Sequence, residues 1–203
     1  MAVGTYALVS LAEAKNFLEI TKDDENAEVE RLIDAVSATF ESELFYNVLT
    51  RTYSAERYCG TGTGQLRLRS FPVSSVTSVD FLQNVGSGGL TWDSQTITNL
   101  LALDTVTANT SRGLLVWYDT AFPRATSGVP NIRITYVAGE SATPFDLQQA
   151  VLKACKWERK MQDQAMVGVA SRSFAGQTEV ITMQKDWPQD VWKVINKYRR
   201  IGV

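Results

Sequence analysis

The side chains that perform most enzyme chemistry are scarce in this sequence of 203 residues, which contains no histidine. Histidine is the commonest general base and metal ligand, so Ser/His/Asp and Cys/His arrangements are excluded. Cys59 and Cys155 lack zinc or redox spacing and indicate buried thiols in a reducing compartment, with a disulfide as the less favoured alternative. A Ser–Lys or carboxylate-pair mechanism stays open because such pairs form only in three dimensions. No motif indicates either, so we expect no enzyme, no catalytic residue, no metal site and no cofactor.

Acidic side chains are concentrated in one segment near the amino terminus. Residues 19–30 contain a single lysine and the acids Glu19, Asp23, Asp24, Glu25, Glu28 and Glu30. The segment lacks the spacing of a calcium-binding loop, with its glycine and terminal glutamate. Because carboxylates suit the positive end of a helix dipole, the pattern predicts a solvated first helical turn capped by Asp23 or Asp24.

Two further patterns could bind anions. Three glycines within residues 60–64 are not followed by the Gly-Lys-Ser/Thr of a phosphate loop, and no helix is expected next. They predict a hairpin turn between two strands. Arg67 and Arg69 alternate with leucines, which is typical of a half-buried strand with one wet face. An arginine pair that binds a ligand is the alternative.

The segment DWPQDVWKVINKYRRIGV combines aromatic and basic side chains that could hold phosphates and stack on bases. On a helical wheel, most of its apolar residues fall within an arc of about 120°, as in a docking stripe. These residues are Trp187, Val191, Val194, Ile195, Tyr198 and Ile201. Trp192 lies outside the stripe beside Arg199, and Trp, Tyr and Arg are enriched at interface hot spots. The helix is therefore predicted either to pack on its own domain or to bind a partner.

Four amphipathic segments predict helices. Ser10 and Glu13 form a capping box at the start of the first, SLAEAKNFLEI, and the second lies in KDDENAEVERLIDAVSATFESELF. Thr143 is the expected cap of the third, TPFDLQQAVLKACKWERKMQD. Asp186 is the expected cap of the last, with Pro188 inside its first turn.

The spacing of apolar residues changes from about 3.6 to about 2 after Thr50, which indicates strands. The segments RTYSAERY, QLRLRSF, SVTSVDFL, LLVWY and NIRITYVA are rich in β-branched and aromatic residues. Residues 84–113 are rich in Gly, Ser, Thr and Asn and are predicted to be long loops with one more short strand at most. Gly168 and Gly176 predict a mobile loop or hairpin.

These elements predict an α+β fold, in which a small bundle of about four helices carries an inserted β-rich module between the second and third helices. The predicted parts are N-terminal helices in 1–49, the module in 50–140, the third helix in 141–163, a flexible arm or hairpin in 164–185 and a C-terminal docking helix in 186–203. A formal net charge of -2 argues against a chain that is basic throughout and binds nucleic acid. No signal-peptide pattern and no apolar stretch of roughly 20 residues is found, so no membrane partner is expected.

Four segments in this order resemble a known protein family. They resemble segments of the head–tail connector (adaptor) proteins of long-tailed bacteriophages. In chain order, the four are VSLAEAKNFLEI with EVERLIDAVSATFESEL, SFPVSSVTSVDFL, IRITYVAGE with TPFDLQQAVLKACKWER, and DWPQDVWKVINKYRR. The resemblance is to the members with a β insertion, and residues 84–130 lie outside it.

The resemblance implies a structural role in the virion, at the interface between head and tail, after synthesis in the cytoplasm of the bacterial host. Such adaptors form a ring, typically dodecameric, below the portal of a DNA-filled head, where they extend the DNA channel. The implied partners are the portal protein, a stopper or tail-side neck protein, and further copies of the chain. DNA is expected to pass through the ring without specific binding.

The resemblance also makes the C-terminal segment the candidate portal-binding element. Its candidate contacts are Trp187, Val191, Trp192, Ile195, Tyr198, Arg199 and Arg200. Because a strongly basic lumen would grip DNA, the acidic segment supplies candidate lumen or subunit-interface residues. These are Asp23, Asp24, Glu25, Glu28 and Glu30. The alternatives are another neck or tail-completion protein, such as a stopper, and a nucleic-acid-binding module.

Overall fold

The chain forms two compact units, a helical unit from Met1–Val48 and Ala142–Val203 and a β unit from Leu49–Ser141. The computed structural model describes residues 3–86, 89–96, 100–101, 113–117, 121–125, 128–163, 172–174, 177–179 and 187–200. Among these residues, four helices are described, and the strands of the antiparallel sheets of the β unit come between the second and third helices in chain order. The predicted α+β fold class is therefore confirmed.

The first helix, α1, is Leu11–Leu18 and begins with the predicted capping box. The Glu13 amide donates to Ser10 Oγ at 3.3 Å, and the Ser10 amide donates to Glu13 Oε2 at 2.8 Å. These two bonds satisfy amides that have no partner within the helix. The hydrogen bonds from Ser10 also lower the pKa of the Glu13 carboxyl. A purely local signal was sufficient to predict this helix start.

The second helix, α2, is Asn26–Leu44, and its start corrects the predicted cap. Glu25, rather than Asp23 or Asp24, occupies the N-cap position, and no side chain caps the helix. Asp23 Oδ1 instead accepts a hydrogen bond from Lys15 Nζ at 2.7 Å. The aspartate therefore bridges to α1, a long-range contact that replaces the local capping bond.

The third helix, α3, is Phe145–Asp163, and the fourth, α4, is Gln189–Tyr198. The start of α4 corrects the sequence prediction, because Pro188 is the N-cap and not part of the first turn. The Pro188 backbone is extended, with ψ at 147°, and its carbonyl accepts from the Val191 amide at 3.0 Å. Asp186, the predicted cap, lies outside the described residues.

The core of the helical unit consists of apolar side chains from all four helices and from the segment before α1. Its buried members include Leu8, Val9, Ala14, Val29, Ile33, Val36, Phe40, Leu44, Leu147, Ala150, Val151, Ala154, Cys155, Trp187, Val191 and Ile195. Within α2 and α3 they follow helical spacing, as the sequence predicts. Leu32 and Met161 belong to the same predicted stripes but are only half-buried.

The β unit contains seven strands within the described residues. They are β1 Arg51–Tyr58, β2 Gln65–Arg67, β3 Val73–Gly86, β4 Gly89–Ser94, β5 Leu100–Leu101, β6 Leu114–Trp117 and β7 Ile132–Ala138. One antiparallel sheet has the order β1-β7-β3-β4 and the other the order β2-β6-β5. In the helical unit, β8 Arg172–Phe174 and β9 Gln177–Glu179 form a hairpin within the predicted arm. The rest of that arm, 164–185, lies outside the described residues.

The core of the β unit depends on alternating burial along its strands. From Ile132 to Ala138, side chains are buried at every second position, which is the pattern of a strand with one covered face. The second sheet and the loop after β6 contribute aromatic rings to the same core. The Trp117 ring lies 5.5 Å from the Phe81 ring and 5.4 Å from the Phe122 ring, measured between centroids.

Two sequence expectations for the β unit are wrong. Residues 60–64 are not a hairpin turn, because β1 pairs with β7 whereas β2 pairs with β6 in the other sheet. Gly60 lies where the connection passes close to another segment, and an added Cβ would sit 1.9 Å from the Pro123 carbonyl oxygen. Residues 84–113 were expected to hold one short strand at most, yet β4 and β5 both lie there.

A cluster of polar side chains is built into the β unit where strands β1 and β7 meet. The hydroxyls of Tyr58 and Tyr136 each donate to Glu56 Oε2 at 2.5 Å. The amides of Arg69 and Ser70 donate to the two hydroxyls at 3.2 and 3.3 Å. Desolvation by burial raises the pKa of both phenols, that of Tyr136 to about 12. Arg69 lies beyond the end of β2, which corrects the predicted strand at this residue, and it binds Glu56 Oε1 at 3.0 Å within the unit.

The two cysteines have different environments. Cys155 is buried in the helical unit, and burial raises the pKa of its thiol to about 12. Cys59 is exposed, which corrects the expectation that both thiols are buried. Cys59 follows the last residue of β1, where the chain leaves the sheet. Both thiols are free.

Candidate functional site

Helix α4, which carries the candidate portal contacts, packs against α2 and α3 of its own unit. Trp187, just before the helix, is 7% exposed, and its ring stacks on Phe40 with centroids 4.8 Å apart. Its indole Nε1 donates to Glu158 Oε1 at 2.9 Å. A buried indole N–H needs an acceptor, so this bond explains the glutamate on the apolar side of α3. The sequence showed the glutamate but not its partner.

Val191 and Ile195 complete the buried stripe of α4, and neither has an exposed side chain. Trp192, which the helical wheel places outside the stripe, is half-buried. Its ring centroid lies 6.1 Å from that of Trp187. Of the candidate portal contacts, Trp187, Val191 and Ile195 are thus used in self-packing, so a partner could touch them only if α4 left its bundle.

The polar edge of α4 is tied to α3. Tyr198 Oη donates to Asp146 Oδ1 at 2.6 Å, and Lys197 Nζ donates to Asp146 Oδ2 at 2.6 Å. These hydrogen bonds lower the pKa of the Asp146 carboxyl, and the one with Lys197 contributes most. Lys153 of α3 forms an ion pair with Asp190 in the first turn of α4. Both ends of α4 are therefore attached to α3 by charged groups at the surface.

The two arginines after α4 bind the carboxyl-terminal end of α2. Arg199 Nε donates to the Glu43 carbonyl oxygen at 2.9 Å, and its guanidinium also pairs with the Glu43 carboxylate. The Arg200 amide donates to the Leu44 carbonyl oxygen at 3.1 Å. Cationic donors suit the last carbonyls of a helix. The guanidinium of Arg199 therefore complements the dipole of α2, whereas Arg200 binds the same end through its backbone amide.

Two exposed aromatic residues lie at this same end of the bundle, and their exposure was not predictable from the sequence. Phe145 begins α3 and is 86% exposed, and Phe45 follows α2 and is 68% exposed. The Arg199 guanidinium lies 5.2 Å from the centroid of the Phe45 ring. Phe145 precedes Asp146, the residue that Tyr198 and Lys197 bind. An aromatic and basic surface is thus formed from three helix ends.

The five acids of the candidate lumen set have different environments. Asp23 pairs with Lys15, and Glu25 pairs with Arg159. The hydrogen bonds in these two pairs lower the pKa of each carboxyl. Glu30 is buried, at 7% exposure. Asp24 and Glu28 are exposed, so they are the members of the set that present a carboxylate to solvent without a pairing described here.

Glu28 also lines a shallow groove in the helical unit. The groove has a volume of about 360 Å³ and is lined by Glu28, Arg31, Leu32, Ala35 and Gln162. Its lining includes Leu32, which is half-buried. Arg31 Nε donates to the Ala27 carbonyl oxygen at 3.2 Å. The groove therefore combines two apolar side chains, Leu32 and Ala35, with polar side chains from the first half of α2 and the end of α3.

The described part of the chain offers no arrangement for metal chemistry. It holds no group of three or more His, Cys, Asp or Glu side chains placed to bind a metal ion. None of its helices is both long and apolar enough to cross a membrane. Three surfaces of the helical unit are candidates for function, namely the edge of α4, the aromatic bundle end and the groove.

Comparison with known proteins shows which family and which solved structures the chain is similar to. A family model described as head completion protein matches residues 7–201. Three solved structures share the fold, and each alignment covers 100% of this chain and 94% of the other. A chain in the neck of an empty gene transfer agent (GTA) particle, computed with C6 symmetry, has a TM-score of 0.62 at 17% identity. A chain in the virion of a native GTA particle has 0.59 at 17%, and one in the neck of a native GTA particle, computed with C12 symmetry, has 0.57 at 18%.

No curated protein matches the chain. The family match extends over nearly the whole sequence, from before α1 to the end of α4, and so includes both units. This agrees with the four segments that resemble head–tail connector proteins. The chain belongs to the head completion protein family.

Proposed function

We propose that this protein is a structural component of the virion neck, an adaptor that forms a ring below the portal and joins head to tail. The observation that carries the proposal is the fold similarity, over the full length of the chain, to chains of GTA necks solved with C6 and C12 symmetry. The family match to head completion proteins supports the same assignment. A ring built from one chain needs heterologous interfaces that close by rotation.

The proposed portal contact is the outer edge of α4, while the helix stays docked in its own bundle. Trp192, Tyr198, Arg199 and Arg200 are all partly exposed along this edge. Burial of the stripe behind them supports a rigid surface, since ordering a free helix on binding would weaken the association. In this arrangement Trp187, Val191 and Ile195 hold the surface in place and do not themselves contact the portal.

The acidic residues have a separate proposed role. Asp24 and Glu28 are exposed, so they are the candidates for the channel wall or for the boundary between subunits. Asp23 and Glu25 are engaged by Lys15 and Arg159 and act within the subunit. A wall without surplus positive charge lets DNA slide, because binding to phosphates depends on the number of cations that contact them.

Electron cryomicroscopy of particles that contain this chain tests the proposal. We expect a closed ring of the chain directly below the portal, with the edge of α4 against it. A position farther along the neck, next to the tail, would identify a stopper-like protein instead. Specific binding to free duplex DNA with a steep salt dependence would favour the nucleic-acid module.

A variant pair tests the portal surface. Trp192→Ala should reduce incorporation of the chain into DNA-filled heads, because it removes the largest side chain of the proposed contact. Trp92→Ala in β4 is the matched control, since it removes the same side chain from the other unit. Normal incorporation of a folded Trp192→Ala chain would show that the portal binds elsewhere.

A further inference from the structure

The helical unit has an exposed aromatic pair at one end and an open groove toward the other. Phe145, at 86% exposure, and Phe45, at 68%, are the two most exposed large apolar side chains of the described residues. Both lie beside the end of α4, because Arg199 covers Phe45 and Tyr198 binds Asp146 next to Phe145. Aromatic residues left in water are typical of interaction sites.

The groove is large enough to receive such a side chain. Its volume of about 360 Å³ exceeds the ~150 Å³ of a cavity that holds a benzene ring. Leu32 and Ala35 supply apolar surface, and Glu28, Arg31 and Gln162 complete the lining. A phenyl ring would therefore find apolar contact in the groove.

The aromatic pair and the groove lie at different places on the same helix pair. The groove is formed by the first half of α2 with the end of α3, and the aromatic residues follow α2 and begin α3. Ala35 and Phe45 are about 15 Å apart along α2, at ~1.5 Å per residue. A ring requires that each copy uses one surface toward one neighbour and the other surface toward the next, and two separate surfaces allow such a heterologous contact.

The two surfaces carry a modest excess of opposite charge. Residues 23–30 contain five acids and no base, and Glu28 of this set lines the groove, where Arg31 is the neighbouring cation. Residues 190–200 contain Lys193, Lys197, Arg199 and Arg200 against the single acid Asp190, and Lys197 and Arg199 are also paired with Asp146 and Glu43 of other helices. Opposite charges at the rim of an interface favour correct encounter and register.

We infer that Phe145, with Phe45 beside it, inserts into the groove of a second copy of this chain and forms the contact between neighbouring subunits. The inference rests on the proposed ring. It assigns Phe145 as the anchor, the groove as its receptor, and the acidic start of α2 as the rim that faces Lys197 near the end of α4. The candidate acid Glu28 then lies at the subunit boundary and not on the channel wall.

Photo-crosslinking in assembled necks tests this contact. Phe145 is replaced by benzoylphenylalanine, which keeps the aromatic ring, and the modified chain is assembled together with a nitrogen-15-labelled unmodified chain. After irradiation, we expect crosslinked peptides that contain labelled residues 28–35. A crosslink to labelled residues around Phe145 would indicate a two-fold contact and overturn the inference. A crosslink only to another protein, or none, would also overturn it.

Two substitutions test the same contact from both sides. Phe145→Ser removes the anchor and Ala35→Trp fills the groove, so each should lower ring assembly at least tenfold while the melting temperature of the free chain stays near that of the wild type. Tyr6→Ser is the matched control, because Tyr6 is also an exposed aromatic residue, at 43%. Normal rings from both folded variants would contradict the inference.

Imaging separates failure of this inference from failure of the proposed function. If a ring lies below the portal but Phe145 does not face a neighbouring copy, only the subunit contact is wrong. If the chain lies elsewhere in the particle and forms no ring, the proposed adaptor function is wrong as well.

Discussion

Helix α4 packs on α2 and α3 at an interface that we call the seam. The seam and the polar cluster of the β unit use charged groups in opposite ways. At the seam, Trp187, Val191 and Ile195 are buried, and the ion pairs of Lys153 and Lys197 lie at the surface. In the β unit, a single carboxylate, Glu56, lies inside a partly buried cluster and accepts two phenol hydroxyls. Apolar contact therefore holds the seam, whereas satisfied hydrogen bonding holds the cluster.

The difference determines which changes each unit tolerates. An exposed ion pair gains little because water screens it and two long side chains must be fixed. A buried donor that loses its acceptor incurs the whole desolvation penalty. We therefore expect the seam to be sensitive at its apolar residues and the cluster to be sensitive at its carboxylate.

The largest expected effect is at the seam. Trp187→Ala removes the ring stacked on Phe40 and leaves Glu158 without its indole donor. We expect a loss of about 3–5 kcal/mol in the free energy of unfolding, the range for buried aromatic truncations. Urea denaturation measures it, with Trp192→Ala as the half-buried control. Equal losses for the two variants would show that the seam is not the core of the unit.

The next effect is in the cluster. Glu56→Ala leaves the hydroxyls of Tyr58 and Tyr136 without their shared acceptor and Arg69 without its carboxylate. We expect a loss of about 1–3 kcal/mol, again by urea denaturation. Glu140→Ala, at an exposed position of the same unit, is the control. An unchanged midpoint for Glu56→Ala would mean that water replaces the carboxylate.

The cluster also predicts a dependence on high pH. Burial raises the pKa of Tyr136 to about 12 in the folded protein, whereas an unperturbed phenol has a pKa of about 10. A raised folded pKa contributes stability that is fully present below about pH 10 and is lost as the pH rises toward about 12. Denaturation midpoints across this range should fall less steeply for Tyr136→Phe than for the wild type. Parallel curves would contradict the assignment.

A smaller effect is expected for the ion pairs of the seam. Asp146→Asn weakens the contacts with Lys197 and Tyr198, and because these groups are largely exposed the loss should stay below about 1 kcal/mol. The pKa of Asp146 is lowered, so this stability is present above its unfolded pKa of about 3.9 and is lost as the pH falls through the folded value. A loss comparable with that of Trp187→Ala would reverse the comparison between the two regions.

The smallest effect on stability is expected at the bundle end. Phe145→Ser changes a side chain that is 86% exposed, so the free energy of unfolding should move by less than about 0.5 kcal/mol. A thermal melt of the free chain measures this. A large loss would place Phe145 in the core of its own unit and remove it as a candidate contact.

Local signals predicted much of the fold. The capping box of Ser10 and Glu13 and the alternation of β7 were visible because each depends on neighbours within one turn or one strand. The pairing of the strands was not visible in the sequence, because sheet partners are distant along the chain. Residues 60–64 were misassigned as a hairpin turn for this reason. The cap of α2 was missed for the same reason, since Lys15 on α1 attracts Asp23.

For the candidate site, the sequence predicted a docking stripe on α4 but left open whether this stripe packs on its own domain or on a partner. In this structure, Trp187, Val191 and Ile195 pack within their own helical unit. The exposure of Phe45 and Phe145 could not be predicted. Phenylalanine is apolar, and the helical period is as compatible with a buried as with an exposed side chain at these two positions.

By itself the sequence determined that the 203 residues contain no histidine, that they form an α+β chain with a central β insertion, and that the last helix has an apolar face. These properties follow from composition and from the periods of strands and helices. Only the tertiary structure decided that α4 closes its own bundle, that Arg199 and Arg200 bind the end of α2, and that Phe145 remains in solvent. Burial and pairing depend on which distant segments meet in space, and periodicity within one segment carries no information about its partner.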